Sequence, residues 1–150
     1  MTIGELIGAS HVIVGLRVAG KTQLLQELAR RVGAALSLDQ RMILDALQTR
    51  ENLGATGLGK GFALPHARLG VLQRSFVLFV RLSRPIDFGS IDGLPGDLVI
   101  LLLTPENADN QHLAMLAALS RPLRIEAFMQ RLRQAPDAAA LHHLLARPDV

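Results

Sequence analysis

Six consecutive residues, Leu98–Leu103, carry no polar side-chain atom. A strand with one wet face alternates apolar and polar residues. An unbroken run of this length reads as a central strand covered on both sides by helices. It is far short of the roughly twenty residues that span a bilayer. The run therefore points to an α/β architecture rather than to a membrane segment.

The flanking pattern supplies both helical layers. Residues 20–32 place Leu24, Leu25, Leu28, Ala29 and Val32 on one helix face. Asp39 is a suitable cap for a second helix, with Met42, Ile43, Ala46 and Leu47 inward. That helix should stop near residues 50–53, because glycines follow at 54, 57, 59 and 61. Residues 107–119, 123–132 and 137–145 read as three more helices, the middle one with Ile125, Phe128, Met129 and Leu132 inward. Residues 11–14 and 76–82 read as strands. Strands interleaved with helices imply a single α/β domain over residues 1–150. Strand order stays open.

Composition narrows the chemistry. With 49% hydrophobic and 19% charged residues in 150, the chain can build an ordinary core unaided. The absence of cysteine excludes a disulfide scaffold, a thiolate nucleophile and a zinc ribbon. The pI of 10.5 accompanies a net charge of only +3. Two of the sixteen cations are Lys, so fourteen are Arg, and no Tyr or Cys adds negative charge as pH rises. The arginines are scattered and five Phe are the only aromatics, so nucleic acid is not an expected partner. The first residues carry neither a basic n-region nor an apolar signal core, and a cytoplasmic location is expected.

One motif is conspicuous. Residues 15–22, GLRVAGKT, satisfy G-x-x-x-x-G-K-[ST] between an apolar run and a helix. A nucleotide site would place Lys21 on phosphates and Thr22 on magnesium. However, no apolar strand ends in an acidic residue, since Val99–Leu103 runs into Thr104 and Pro105. The loop interior is bulky and β-branched, and 150 residues is tight for a nucleotide hydrolase. An ordinary strand-to-helix turn is the expected reading, with a nucleotide-binding loop as the remote alternative.

The chemistry concentrates in residues 50–68. Four glycines within residues 54–61 free the main chain to approach a ligand. Successive amides in such a stretch form anion-binding concavities. An apolar run, residues 62–64, leads into Pro65-His66, and the proline fixes the chain before the imidazole. Arg50 and Arg68 are near in sequence. Neutral imidazole is a competent nucleophile near pH 7, so His66 suits a phosphoryl acceptor. Thr56 and the amides around Gly57, Gly59 and Gly61 are candidate phosphate donors.

The pattern R-E-x-L-G-x-T-G-x-G-K-G-x-A-x-P-H-x-R resembles the active-site segment of type-2 IIA domains of the bacterial phosphotransferase system, the fructose/mannitol class. Within that class it is most similar to the nitrogen-regulatory branch. The likeness continues through Ile86-Asp87-Phe88, Asp92–Val99, Pro105-Glu106-Asn107, His112-Leu113 and Leu119-Ser120-Arg121. The resemblance implies a mixed sheet with helices on both faces and phosphorylation of His66 through Nε2. It places the assisting arginine on Arg50 and a second active-site histidine on His112. It implies an HPr-like donor and a phosphorylation-dependent regulator that binds target proteins. The alternative is a free-standing sugar component passing phosphoryl to a IIB partner. Neither metal nor other cofactor is implied, and a homodimer remains open. Two departures are small: Ala55 stands where the family often has Ser, and Ser90 where Asp or another residue is usual. Lys60 and Arg68 fit solvated or partner-facing charges equally well, and His11, His142 and His143 show no ligand pattern.

Overall fold

The computed structural model describes residues 3–107 and 109–146. In chain order the elements are α1 (Ile3–Leu6), β1 (Val12–Leu16), α2 (Lys21–Leu36), α3 (Gln40–Leu53), β2 (Gly57–Gly59), β3 (Phe62–Ala63), β4 (His66–Leu69), β5 (Phe76–Ile86), β6 (Gly96–Pro105), α4 (Asp109–Ser120), α5 (Glu126–Gln134) and α6 (Ala138–Ala146).

The apolar run lies at the centre of β6, and the sheet runs β1-β5-β6-β3-β2. β5 is antiparallel to β6, whereas β1 is parallel to β5 and β3 is parallel to β6, so the sheet is mixed. β6 alternates between two cores. Val99, Leu101 and Leu103 pack with Leu24, Leu28, Ile43 and Leu47 beneath α2 and α3. Leu98, Ile100 and Leu102 pack with Met115, Phe128, Met129 and Leu141 beneath the remaining helices. A strand apolar on every residue is thus required by helical layers on both faces.

Local signals set the ends of the helices beside the site. Asp39 caps α3, its Oδ1 accepting from the Arg41 amide at 2.9 Å. Helix α2 ends at Ser37, which takes a left-handed φ of 55° while its amide bonds Gly33 O. The helix expected over 123–132 differs from the structure. Residues Pro122–Arg124 form a separate 3₁₀ turn, and Ile125 is an extended residue before α5. Ile125 is 57% exposed rather than inward; Leu123 is buried in its place. Proline at the first position of the short turn favours that break. The strand expected over 11–14 starts at Val12 and runs to Leu16.

The segment from Phe62 to Leu69 positions the site. β3 pairs with the first half of β6 and β4 with the second, on the edge away from β5. The break between them is Leu64-Pro65, and Pro65 O accepts from the Leu102 amide at 3.0 Å. Proline has no amide to donate, so the chain leaves the ladder there and rejoins it at His66 opposite Leu102.

Candidate active site

His66 stands at the start of β4, between the C-terminal turn of α3 and the first turn of α4. Its Nδ1 lies 2.7 Å from Leu64 O. A carbonyl can only accept, so Nδ1 carries the proton and Nε2 keeps a lone pair. Arg50 Nε donates to that Nε2 at 3.2 Å, and Arg50 Nη1 donates to Gly54 O at 2.9 Å. The last turn of α3 thereby aims a guanidinium at the Nε2 lone pair. Burial holds the His66 imidazole below its ordinary pKa. The Leu64 carbonyl and the Glu51 charge oppose this shift, whereas Arg50 and Arg68 add to it. The shift favours the neutral ring.

His112, on the first turn of α4, faces His66 with ring centroids 5.4 Å apart and a 53° tilt. It is 5% exposed, and its Nδ1 lies 2.6 Å from the hydroxyl of Thr104. The three residues singled out by the sequence, His66, Arg50 and His112, therefore meet at one point. Two cavities of about 570 and 630 Å³ flank it and share Arg50, His66 and Leu116 in their walls. The first reaches Lys60 and Arg124 and the second Asp45 and Arg68.

The glycine-rich stretch has a more structural arrangement than expected. Thr56 lines the first cavity, but its amide and hydroxyl both donate to Glu51, at 2.9 and 2.6 Å. Gly57 packs so closely on Ser90 and Phe88 that a methyl there would collide with both. Gly59 and Gly61 take φ of 91° and 87° to turn the β2–β3 hairpin. The Gly61 carbonyl accepts from the amides of Asp97 and Leu98, and its Cα faces the Arg133 guanidinium. Arg133 in turn pairs with Asp97 at 3.0 Å and donates to Lys60 O at 3.1 Å.

Sequence reasoning gave Glu51 no role. Its buried carboxylate joins Thr56 to Lys21 Nζ, 2.9 Å away. The only sequence signal is its place beside Arg50 in the last turn of α3, about 100° further round the helix. Lys21, the lysine of the nucleotide-like motif, is thus committed to a carboxylate. The loop before it spans only residues 17–20 between β1 and α2, and its Ala19 amide is taken by Gln23 Oε1. Among the described residues no cluster of three or more His, Asp or Glu could hold a metal ion. None of their helices is long and apolar enough to cross a membrane.

Residues 5–147 match the family model described as phosphoenolpyruvate-dependent sugar phosphotransferase system, EIIA 2. The chain belongs to this family. A nitrogen regulatory protein of Bradyrhizobium diazoefficiens is 43% identical over 148 residues, covering 99% of this chain and 97% of that protein. The crystal structure of the nitrogen regulatory protein IIA-Ntr from Neisseria meningitidis superposes with a TM-score of 0.89 at 32% identity, over 95% of this chain and 98% of that one. The IIA mannitol enzyme of Escherichia coli, solved in complex with phosphorylated IIB, shares the fold with a TM-score of 0.78 at 22% identity. It covers 93% of this chain and 96% of its own. The mixed sheet with helices on both faces is the fold of this type-2 IIA family.

Proposed function

We propose that this type-2 IIA protein is a phosphocarrier that accepts a phosphoryl group on His66 Nε2 from an HPr-like phosphohistidine donor. The observation that carries the reading is the fixed tautomer: Leu64 O holds the Nδ1 proton, leaving the Nε2 lone pair facing Arg50. As Nε2 bonds to phosphorus, the donor's N–P bond breaks, and its electron pair returns to the donor imidazole. The proton stays on His66 Nδ1, hydrogen-bonded to the Leu64 carbonyl, which stabilises the positive charge developing on the ring. The negative phosphoryl group balances the remainder.

Arg50 turns its Nε from the lone pair to an equatorial phosphoryl oxygen while Nη1 keeps its hold on Gly54 O. His112 donates to a second oxygen. Such positioned donors carry most of the catalysis in phosphoryl transfer. Thr56 lines the first cavity, Gly57, Gly59 and Gly61 belong to the β2–β3 hairpin beside it, and Glu51 takes the Thr56 donors. The exposed Leu58 and Leu113 beside the two cavities offer apolar contact to a partner protein.

The relatives named nitrogen regulatory proteins support a regulatory role, in which target binding depends on the state of His66. A fructose-specific EIIA component of Haloferax volcanii, 35% identical over 85% of this chain, keeps the sugar-transport reading as the second one. Incubation with a phosphorylated HPr-type donor should add one phosphoryl mass to the wild type and none to His66→Ala. Uptake by His66→Ala would refute the assignment. Rapid loss of label to a fructose or mannitol IIB domain would favour the transport reading over the regulatory one.

A further inference from the structure

The buried end of β6 holds one residue the reaction above does not use. Thr104 is fully buried, at the end of a strand otherwise apolar from Leu98 to Leu103. Its hydroxyl lies 2.6 Å from His112 Nδ1, and no other partner of that hydroxyl is recorded among the described residues. A hydroxyl has one proton to place, and a buried donor without an acceptor costs the full loss of its hydration. If Nδ1 carried the ring proton, Thr104 would accept it and its own hydrogen would be stranded. If Thr104 donates, Nδ1 is the bare nitrogen and the neutral ring must carry its proton on Nε2.

We propose that Thr104 is a positioning residue that fixes His112 in the Nε2–H tautomer, the form that can donate to a phosphoryl group on His66. The two facing imidazoles are then held in opposite states by opposite partners. A carbonyl acceptor, Leu64 O, keeps the proton on Nδ1 of His66 and makes its Nε2 a nucleophile. A hydroxyl donor keeps the proton on Nε2 of His112 and makes that nitrogen a hydrogen-bond donor. The same two ring types so divide the roles of attack and charge stabilisation. The inference rests on His66 being the phosphoryl acceptor only for its kinetic consequence; the tautomer itself follows from the Thr104 contact.

Two readouts separate these levels. In ¹⁵N-labelled wild-type protein at a pH where the rings are neutral, two-bond ¹H–¹⁵N correlations should show His112 with Nε2 protonated and Nδ1 bare, and His66 with the reverse. A His112 ring protonated on Nδ1 would overturn the proposal without touching the phosphocarrier reading. Thr104→Val keeps the shape and removes the donor; it should mix the His112 tautomers and slow uptake from a phosphorylated HPr-type donor roughly tenfold, the loss expected when one oriented hydrogen bond is no longer fixed. Thr104→Ser should restore both. An unchanged tautomer and rate in Thr104→Val would also overturn it. Should the valine variant fail to fold, the wild-type correlation decides alone. Absence of label on His66 in the wild type would instead defeat the phosphocarrier reading and leave the tautomer result standing.

Discussion

Replacing Glu51 by glutamine isolates the anchor of the loop that follows α3. The carboxylate accepts three hydrogen bonds: the Thr56 hydroxyl on Oε1, and the Thr56 amide with Lys21 Nζ on Oε2. A glutamine side chain keeps one carbonyl, which can still take the hydroxyl. Its NH₂ then faces two donors. The buried Thr56 amide loses a charge-assisted bond, about 1.5–3 kcal/mol. Lys21 is 29% exposed and can rehydrate, so its share is smaller, roughly 0.5–1 kcal/mol. Together Glu51→Gln should cost about 2–4 kcal/mol in urea unfolding, or a fall in Tm of roughly 5–15 °C for a chain this long.

The pH dependence gives the sign. Burial pushes the Glu51 carboxyl up, but the Thr56 hydroxyl, Lys21 and the Thr56 amide outweigh it and leave the folded pKa below 4.5. Its contribution is therefore complete above the unfolded value and disappears as pH falls through the lower folded value. Wild type and variant should differ fully at pH 7 and converge in acid. A difference below about 0.5 kcal/mol at pH 7, the range of an ordinary surface change, would refute the assignment of Glu51 as the buried anchor of the loop.

Further outcomes follow from the same geometry. Because the folded pKa of His66 lies below the usual 6.5, its neutral form should persist to more acid pH than a free imidazole, seen as a lowered midpoint in an NMR titration. Arg50→Ala removes one cause of that depression and should move the midpoint upward while slowing phosphoryl uptake; a downward move would contradict the contact. Gly61→Ala forces a side chain into a φ of 87° against Arg133 and should destabilise by about 1–3 kcal/mol in urea unfolding.

The sequence made the layers readable because burial leaves a periodic trace. Leu24, Leu25, Leu28, Ala29 and Val32 announce α2, and Asp39 announces the start of α3. The unbroken Leu98–Leu103 run places β6 between two layers. The pairing of β4 with β6 leaves no such trace, since it depends on residues more than thirty positions apart. Its consequence is decisive, because it sets His66 beside α4 and so beside His112. Ile125 fits the helical spacing of its neighbours, yet the Pro122 turn rotates it outward. Glu51 and Thr104 carry no sequence signature of their roles. One reads as a charge at a helix end and the other as the polar residue just after the Leu98–Leu103 run, and only tertiary contact shows what each holds. The Gly57–Gly61 stretch was legible as a place of unusual backbone, but its close approaches are to Ser90, Phe88 and Arg133 of the same chain.

The central claim is that His66 Nε2 is the atom that receives phosphorus. Phosphorylation of imidazole-¹⁵N protein by an HPr-type donor, followed by ³¹P–¹⁵N correlation NMR, reads that bond directly. Coupling of phosphorus to Nε2 of His66, with Nδ1 still protonated, is the predicted result. Phosphorus on Nδ1, on His112, or on a hydroxyl oxygen would contradict it.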